Sequence, residues 1–270
     1  MAELREALFH PFLQRALLAS LVVAAVCSIA SFFVVLRRIA FVGSGVAHIA
    51  FGGVAVALLL GLPPVAGAAL LAMSAAAWIA LPRRRGDLSE DTAIGIAFAA
   101  AMALGVVCAS LGRARNVDLM TFLFGNVLTV TWPDVAVISV LGAAVLAVFG
   151  RLFPRLLFVS FDEETARIVR LPVDALNVLL FVLIALTVVL AMRTVGLLLV
   201  SALLVVPGAV AQRLTARLRP FLAVSFAVAV ASAVLGLGIS VVADLPSGAS
   251  MVLVAAGIFL VASGLRRRPA

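Results

Sequence analysis

The run from Phe12 to Leu36, FLQRALLASLVVAAVCSIASFFVVL, decides the fold. It holds 25 residues with a single charge, Arg15, close to its start. A hydrocarbon layer about 30 Å thick takes roughly 20 apolar residues as a helix, the conformation that satisfies its own backbone away from water. The run is too long for the apolar region of a cleavable signal, and no basic segment precedes it. It reads as a membrane span, and it has company. The 270 residues are 65% hydrophobic with a mean hydropathy of +1.30. Nine apolar segments can be drawn, near 12–36, 43–60, 64–82, 92–112, 133–150, 174–192, 195–212, 220–242 and 247–265. Turn-forming breaks separate them, among them Gly61-Leu62-Pro63-Pro64, Trp132-Pro133-Asp134 and Leu245-Pro246-Ser247-Gly248. The expectation is an all-α, polytopic transmembrane helical bundle of about nine spans, a single domain over residues 1–270.

Charge sets the orientation. All twenty basic residues are arginine. Alternate loops collect fifteen of them on one side: Arg37, Arg38, Arg83, Arg84, Arg85, Arg151, Arg155, Arg167, Arg170, Arg213, Arg217, Arg219, Arg266, Arg267 and Arg268. The other side holds Arg5, Arg15, Arg113, Arg115 and Arg193. Basic loops stay in the cytoplasm, which places the N-terminus outside and the C-terminus inside. The segment 117–130, short and carrying Asp118, Asn126 and Thr129, reads as an external or re-entrant half-helix. Because the arginines sit in small clusters between apolar runs, nucleic acid is not an expected partner. Without a lysine the chain cannot build a Walker A loop, whose lysine reaches the nucleotide phosphates.

His48 is the one strongly titratable side chain expected deep inside a span, and such groups mark transport paths by default. Ser44 lies four residues earlier, on the same helical face. Three readings stand open: a metal contact, a neutral packing histidine bonded to Ser44, and a proton-sensitive gate for a different cargo. Ser201 and Pro207 suggest a bent, path-lining helix, although proline is common in membrane helices. Gly43, Gly45, Gly52 and Gly53 suit close helix approach. Asp134 reads as a helix cap; Cys27 and Cys108 read as small buried hydrophobes. The longest hydrophilic loop, about 151–174, contains Asp162, Glu163, Glu164, Arg167 and Arg170. Its acids precede its arginines, as a short helix with a complemented dipole requires. Such a helix either rests on the lipid surface or docks a cytoplasmic partner.

Five motifs in order carry a resemblance: Val34–Arg38 leading through Phe41-Val42-Gly43 to His48; Ser89–Ile96; Asp118–Asn126; Asp162–Ala166; and Val195–Pro207. Together they resemble the membrane permease subunits of bacterial ABC importers for manganese, zinc and iron, nearly end to end. The resemblance implies an ABC importer permease fold in the bacterial inner membrane and a permease homodimer with the path on its axis. It further implies cytoplasmic ATPase subunits docked on the Asp162–Arg170 loop and an extracytoplasmic metal-binding protein delivering the ion. A divalent metal is then cargo, with no permanently bound cofactor. In that family the second helix carries an aspartate four residues before the histidine, and this sequence has Ser44 there. The substitution leaves manganese, zinc and iron unranked and admits a non-metal cargo.

Two other classes fare worse. An intramembrane enzyme needs a nucleophile and base, or several metal ligands, on converging helices, and the chain has two histidines, His10 and His48. A secondary transporter places several charged groups at mid-membrane, where this chain is poor in charge.

Overall fold

The structure, a computed structural model, describes residues 11–81, 89–111, 125, 127, 130–192 and 194–264. Among these residues the backbone forms ten helices and no strand. They are α1 (Pro11–Leu36), α2 (Val42–Leu60), α3 (Pro64–Ile79), α4 (Glu90–Leu111), α5 (Trp132–Phe161), α6 (Glu163–Ile168), α7 (Val173–Met192), α8 (Leu197–Leu214), α9 (Leu218–Ala243) and α10 (Ser247–Gly264). Each of the nine expected segments is a helix, and α6 is the extra short one. Seven are long and apolar enough to cross a membrane, whereas α3, with 16 residues, and the Val200–Leu214 stretch of α8 fall short of that length.

Left-handed residues end several helices. At the end of α1, Arg38 sits at φ 59°. Its N–H donates to the Val35 carbonyl and the Ile39 N–H to that of Val34, at 3.2 and 3.1 Å, the paired bonds of a Schellman turn. Gly61 ends α2 in the same way, with Leu62 N–H on the Ala57 carbonyl at 2.8 Å. α5 begins with a capping box: Asp134 N–H donates to Thr131 Oγ1, and Thr131 N–H to Asp134 Oδ2. Asp134 is therefore a cap, as its position after Pro133 suggested.

The expected loop from Arg151 begins instead as helix. α5 runs unbroken for 30 residues through Pro154 to Phe161, about 45 Å at 1.5 Å per residue. Tertiary packing explains the continuation. Phe149, Leu156 and Val159 are buried while Arg151 and Arg155 point outward. Phe153 packs against Phe32 and Phe33 of α1 at ring-centroid distances of 5.6 and 5.4 Å. An apolar stripe at helical spacing therefore outlasts the charges that seemed to end the span.

α1, α2 and α7 are the most enclosed helices, while α4, α5 and α10 leave broad apolar faces outward. Rather than packing along α1, α2 lies against α3, α4, α7 and α8. Missing side chains let it approach. A Cβ on Gly53 would fall 2.3 Å from the Gly67 carbonyl oxygen of α3, and one on Gly52 would fall 2.5 Å from that of Ala101 on α4. The glycine cluster around His48 is thus explained by packing.

Candidate functional site

His48 lies nearly two turns into α2, half-buried. Its Nδ1 is 2.7 Å from the backbone carbonyl oxygen of Ser44. A carbonyl has no proton to give, so Nδ1 carries the hydrogen and donates it. That tautomer leaves the lone pair on Nε2, the arrangement in which a histidine meets a metal. The ring edge stands on Phe98 of α4, with centroids 4.7 Å apart and planes at 73°. Ser44 does partner His48, but through its main chain and not its hydroxyl.

α8 touches the beginning of this helix. A Cβ on Gly43 would lie 3.2 Å from Ser201 Cα, so half-buried Ser201 stands beside the entrance of α2. Pro207 is buried further along. The next N–H, of Gly208, donates to Ser31 Oγ on α1 at 2.8 Å, joining α8 to α1 at the proline. Among the described residues no three His, Cys, Asp or Glu cluster as a metal-holding group. One chain's described residues therefore bring a single imidazole, not a closed ligand set.

α6 is framed by its own charges. Asp162 caps it, accepting from Thr165 N–H at 2.9 Å and from the Thr165 hydroxyl. The hydroxyl bond first, then the backbone one, holds the Asp162 carboxyl below its usual range. Arg167 Nη2 reaches Glu163 Oε1 at 2.8 Å and Asp174 Oδ1 at 2.6 Å, fastening α6 to the first turn of α7. Its pKa is raised by these bonds, that to Asp174 foremost. Arg170, at φ 59°, closes the helix, with Leu171 N–H on the Ala166 carbonyl. Glu164 is exposed in the first turn, and Phe161, Ile168 and Val169 present exposed apolar side chains around it.

Sequence reasoning counted Arg37 as a topology signal and missed its contacts. The partly buried Arg37 donates from Nε to Ser160 Oγ at 2.9 Å and from Nη2 to Asn177 Oδ1 at 2.6 Å. Hydrogen bonds to a charged group are worth about 1.5–3 kcal/mol each. Burial lowers the pKa of this guanidinium, and Glu90 and Glu163 act the other way. No local pattern announces the contact, since its partners lie 123 and 140 positions away.

Ser89 Oγ accepts from Thr92 N–H at the start of α4, where Glu90 and Asp91 occupy the first turn. Asp244 ends α9 in a left-handed conformation. Cys27 is buried and Cys108 half-buried, both as free thiols. Asp118 and most of the expected 117–130 half-helix lie outside the described residues. Of that segment, Gly125 (φ 65°) abuts Gly196, and Val127 N–H donates to Ser247 Oγ at 3.2 Å.

Seven helices long and apolar enough to cross a membrane, with one half-buried histidine among the described residues, mark a multi-pass membrane protein. The chain belongs to the ABC 3 transport family, which it matches over residues 9–266. It is 38% identical over 255 residues to the manganese transport system membrane protein MntC of Halalkalibacterium halodurans, covering 94% of this chain and 87% of that one. The MntC of Listeria monocytogenes is 35% identical over 253 residues, covering 94% and 90%. Among solved structures, PsaBC from Streptococcus pneumoniae in complex with Fab superposes with a TM-score of 0.86 at 34% identity, over 99% of this chain and 96% of that one. The chain is accordingly a permease subunit of a metal-importing ABC transporter.

Proposed function

We propose that the cargo is Mn²⁺ and that His48 Nε2 meets the ion on its way through the membrane. The observation carrying this reading is the Nδ1–Ser44 carbonyl bond, which orients the ring and leaves its other nitrogen available. Two protomers facing one another across a dimer axis would offer two such rings. With Ser44 in place of a carboxylate, the ion keeps water or carbonyl oxygens as further ligands, which suits Mn²⁺. The site is then weak, as a conduit that must release its cargo requires. Manganese in the names of the two MntC relatives supports this cargo over zinc and iron.

The motive force comes from elsewhere. ATP-hydrolysing subunits dock on α6 at the cytoplasmic face through Asp162, Glu163, Glu164, Arg167 and Arg170, and an external binding protein delivers the ion. The arginine distribution supports an N-terminus outside and a C-terminus in the cytoplasm of a bacterial inner membrane. Ser201, beside the entrance of α2, and Pro207, which frees a backbone carbonyl in α8, belong to the helix that moves against α2. A second reading, a non-metal cargo, rests on Ser44 alone.

Uptake of Mn²⁺ by cells that depend on this transporter tests the proposal. His48→Ala is expected to lower uptake about tenfold or more while leaving the protein in the membrane, the scale on which changes around a metal ligand act. Unchanged uptake would remove His48 from the mechanism.

A further inference from the structure

Arg37 stands where the turn into the His48 helix meets the corner that carries α6. Its two bonds go to different helices: Ser160 is in the last turn of α5, and Asn177 is in the second turn of α7. Those are the helices that α6 joins. α6 itself is short and is fastened to α7 through Arg167 and Asp174. A displacement of α6 therefore moves the two acceptors that Arg37 holds.

From Arg37 the connection to His48 is brief. The turn is tied to α2 by Val42 N–H on the Ile39 carbonyl at 3.0 Å and by Gly45 N–H on that of Phe41 at 2.9 Å. His48 follows six residues after Val42, about 9 Å along the helix. α2 does not pack along α1, so the 37–41 turn is what joins α1 to the first residues of α2, which α8 and α4 flank at Gly43 and Gly45. The acceptors Ser160 and Asn177 are both neutral, which makes the grip exchangeable, and a planar guanidinium can present two donors at fixed spacing where an ammonium cannot. Glu90 at the start of α4 and Glu163 on α6 both act on this cation, so its surroundings include α6 itself.

We propose that Arg37 is a positioning residue that transmits movement of the α5–α6–α7 corner to the α1–α2 turn, and so to His48. The inference rests on the function proposed above. It concerns how hydrolysis is converted into transport, not whether the metal binds.

The test uses the transporter as purified with its ATP-hydrolysing subunit and reconstituted in liposomes, reading Mn²⁺ taken up per ATP hydrolysed. Arg37→Gln is expected to keep the assembly and its ATP hydrolysis but to lower that ratio about tenfold or more, at least the scale of one lost bond to a charged group. The combined Ser160→Ala and Asn177→Ala change, which spares Arg37, is expected to do the same. Exposed Arg38, one residue on, serves as control: Arg38→Gln is expected to leave the ratio unchanged. If Arg37→Gln does not fold, the double change decides alone. A wild-type ratio in the variants overturns the role of Arg37 while leaving the importer reading intact. Wild-type protein whose Mn²⁺ uptake ignores ATP overturns both.

Discussion

Along α2, side chains vanish wherever a neighbour comes close: Gly53 lies against Gly67, and Gly52 against Ala101. At the corner of α5, α6 and α7 the opposite holds, and long charged side chains reach across exposed gaps, as Arg167 does to Glu163 and Asp174. The first region is held by backbone contact, which locks α2 to α3 and α4 as one rigid piece. The second is held by bonds that water can replace one at a time. A helix proposed to carry His48 as part of a rigid body suits the first construction, and a surface proposed to meet and follow a partner suits the second.

The contrast can be broken most sharply at Gly53. Gly53→Val puts atoms where the Gly67 carbonyl already sits, and overpacking of this kind costs about 1–3 kcal/mol or more. The expected result is a lowered unfolding temperature in detergent together with loss of Mn²⁺ uptake. Glycine itself is not the reason: Gly238 on α9 has nothing within 4 Å of its absent Cβ. Gly238→Ala is therefore expected to stabilise by about 0.5–1 kcal/mol, the usual helix-interior difference, in the same assay.

At the ionic corner the expected effects are local. Asp162→Ala removes the cap and is expected to speed amide hydrogen exchange over 163–168 without moving the global unfolding temperature. The pH dependence has a definite sign. With its folded-state pKa depressed, Asp162 contributes fully above the ordinary carboxylate value of about 3.9 and loses its contribution as pH falls through the lower, folded one. Exchange in α6 should thus stay slow to more acid pH than an unperturbed aspartate allows. Asp162→Asn, which still caps but does not titrate, should remove that acid limb. Smallest of all is Arg167→Ala: its pairs are roughly half exposed, and exposed pairs contribute little. Its expected stability change lies within error, while docking of the hydrolysing subunit falls.

How much of this could be read from residues alone follows the same division. Each of the nine apolar segments announces itself by its length and by Gly or Pro at its edges, because lipid constrains every position of a crossing helix. His48 is conspicuous for being ionisable where nothing else is. The length of α5 was illegible, since Arg151 and Arg155 look like a span's end until Phe153 is seen packed on Phe32 and Phe33. The Nδ1 bond was half legible: the spacing to Ser44 pointed to the right residue, but not to its carbonyl. Arg37 was hidden because a single arginine at a span's edge already has an explanation in topology, and its contacts exist only once distant helices meet.

Mn²⁺ accumulation in proteoliposomes tests the central claim most directly, with the purified chain present either alone or with the ATP-hydrolysing subunit proposed for it. Uphill accumulation is expected only when the second subunit and ATP are both supplied, and none from the chain by itself. Uphill accumulation by the lone chain would contradict the account.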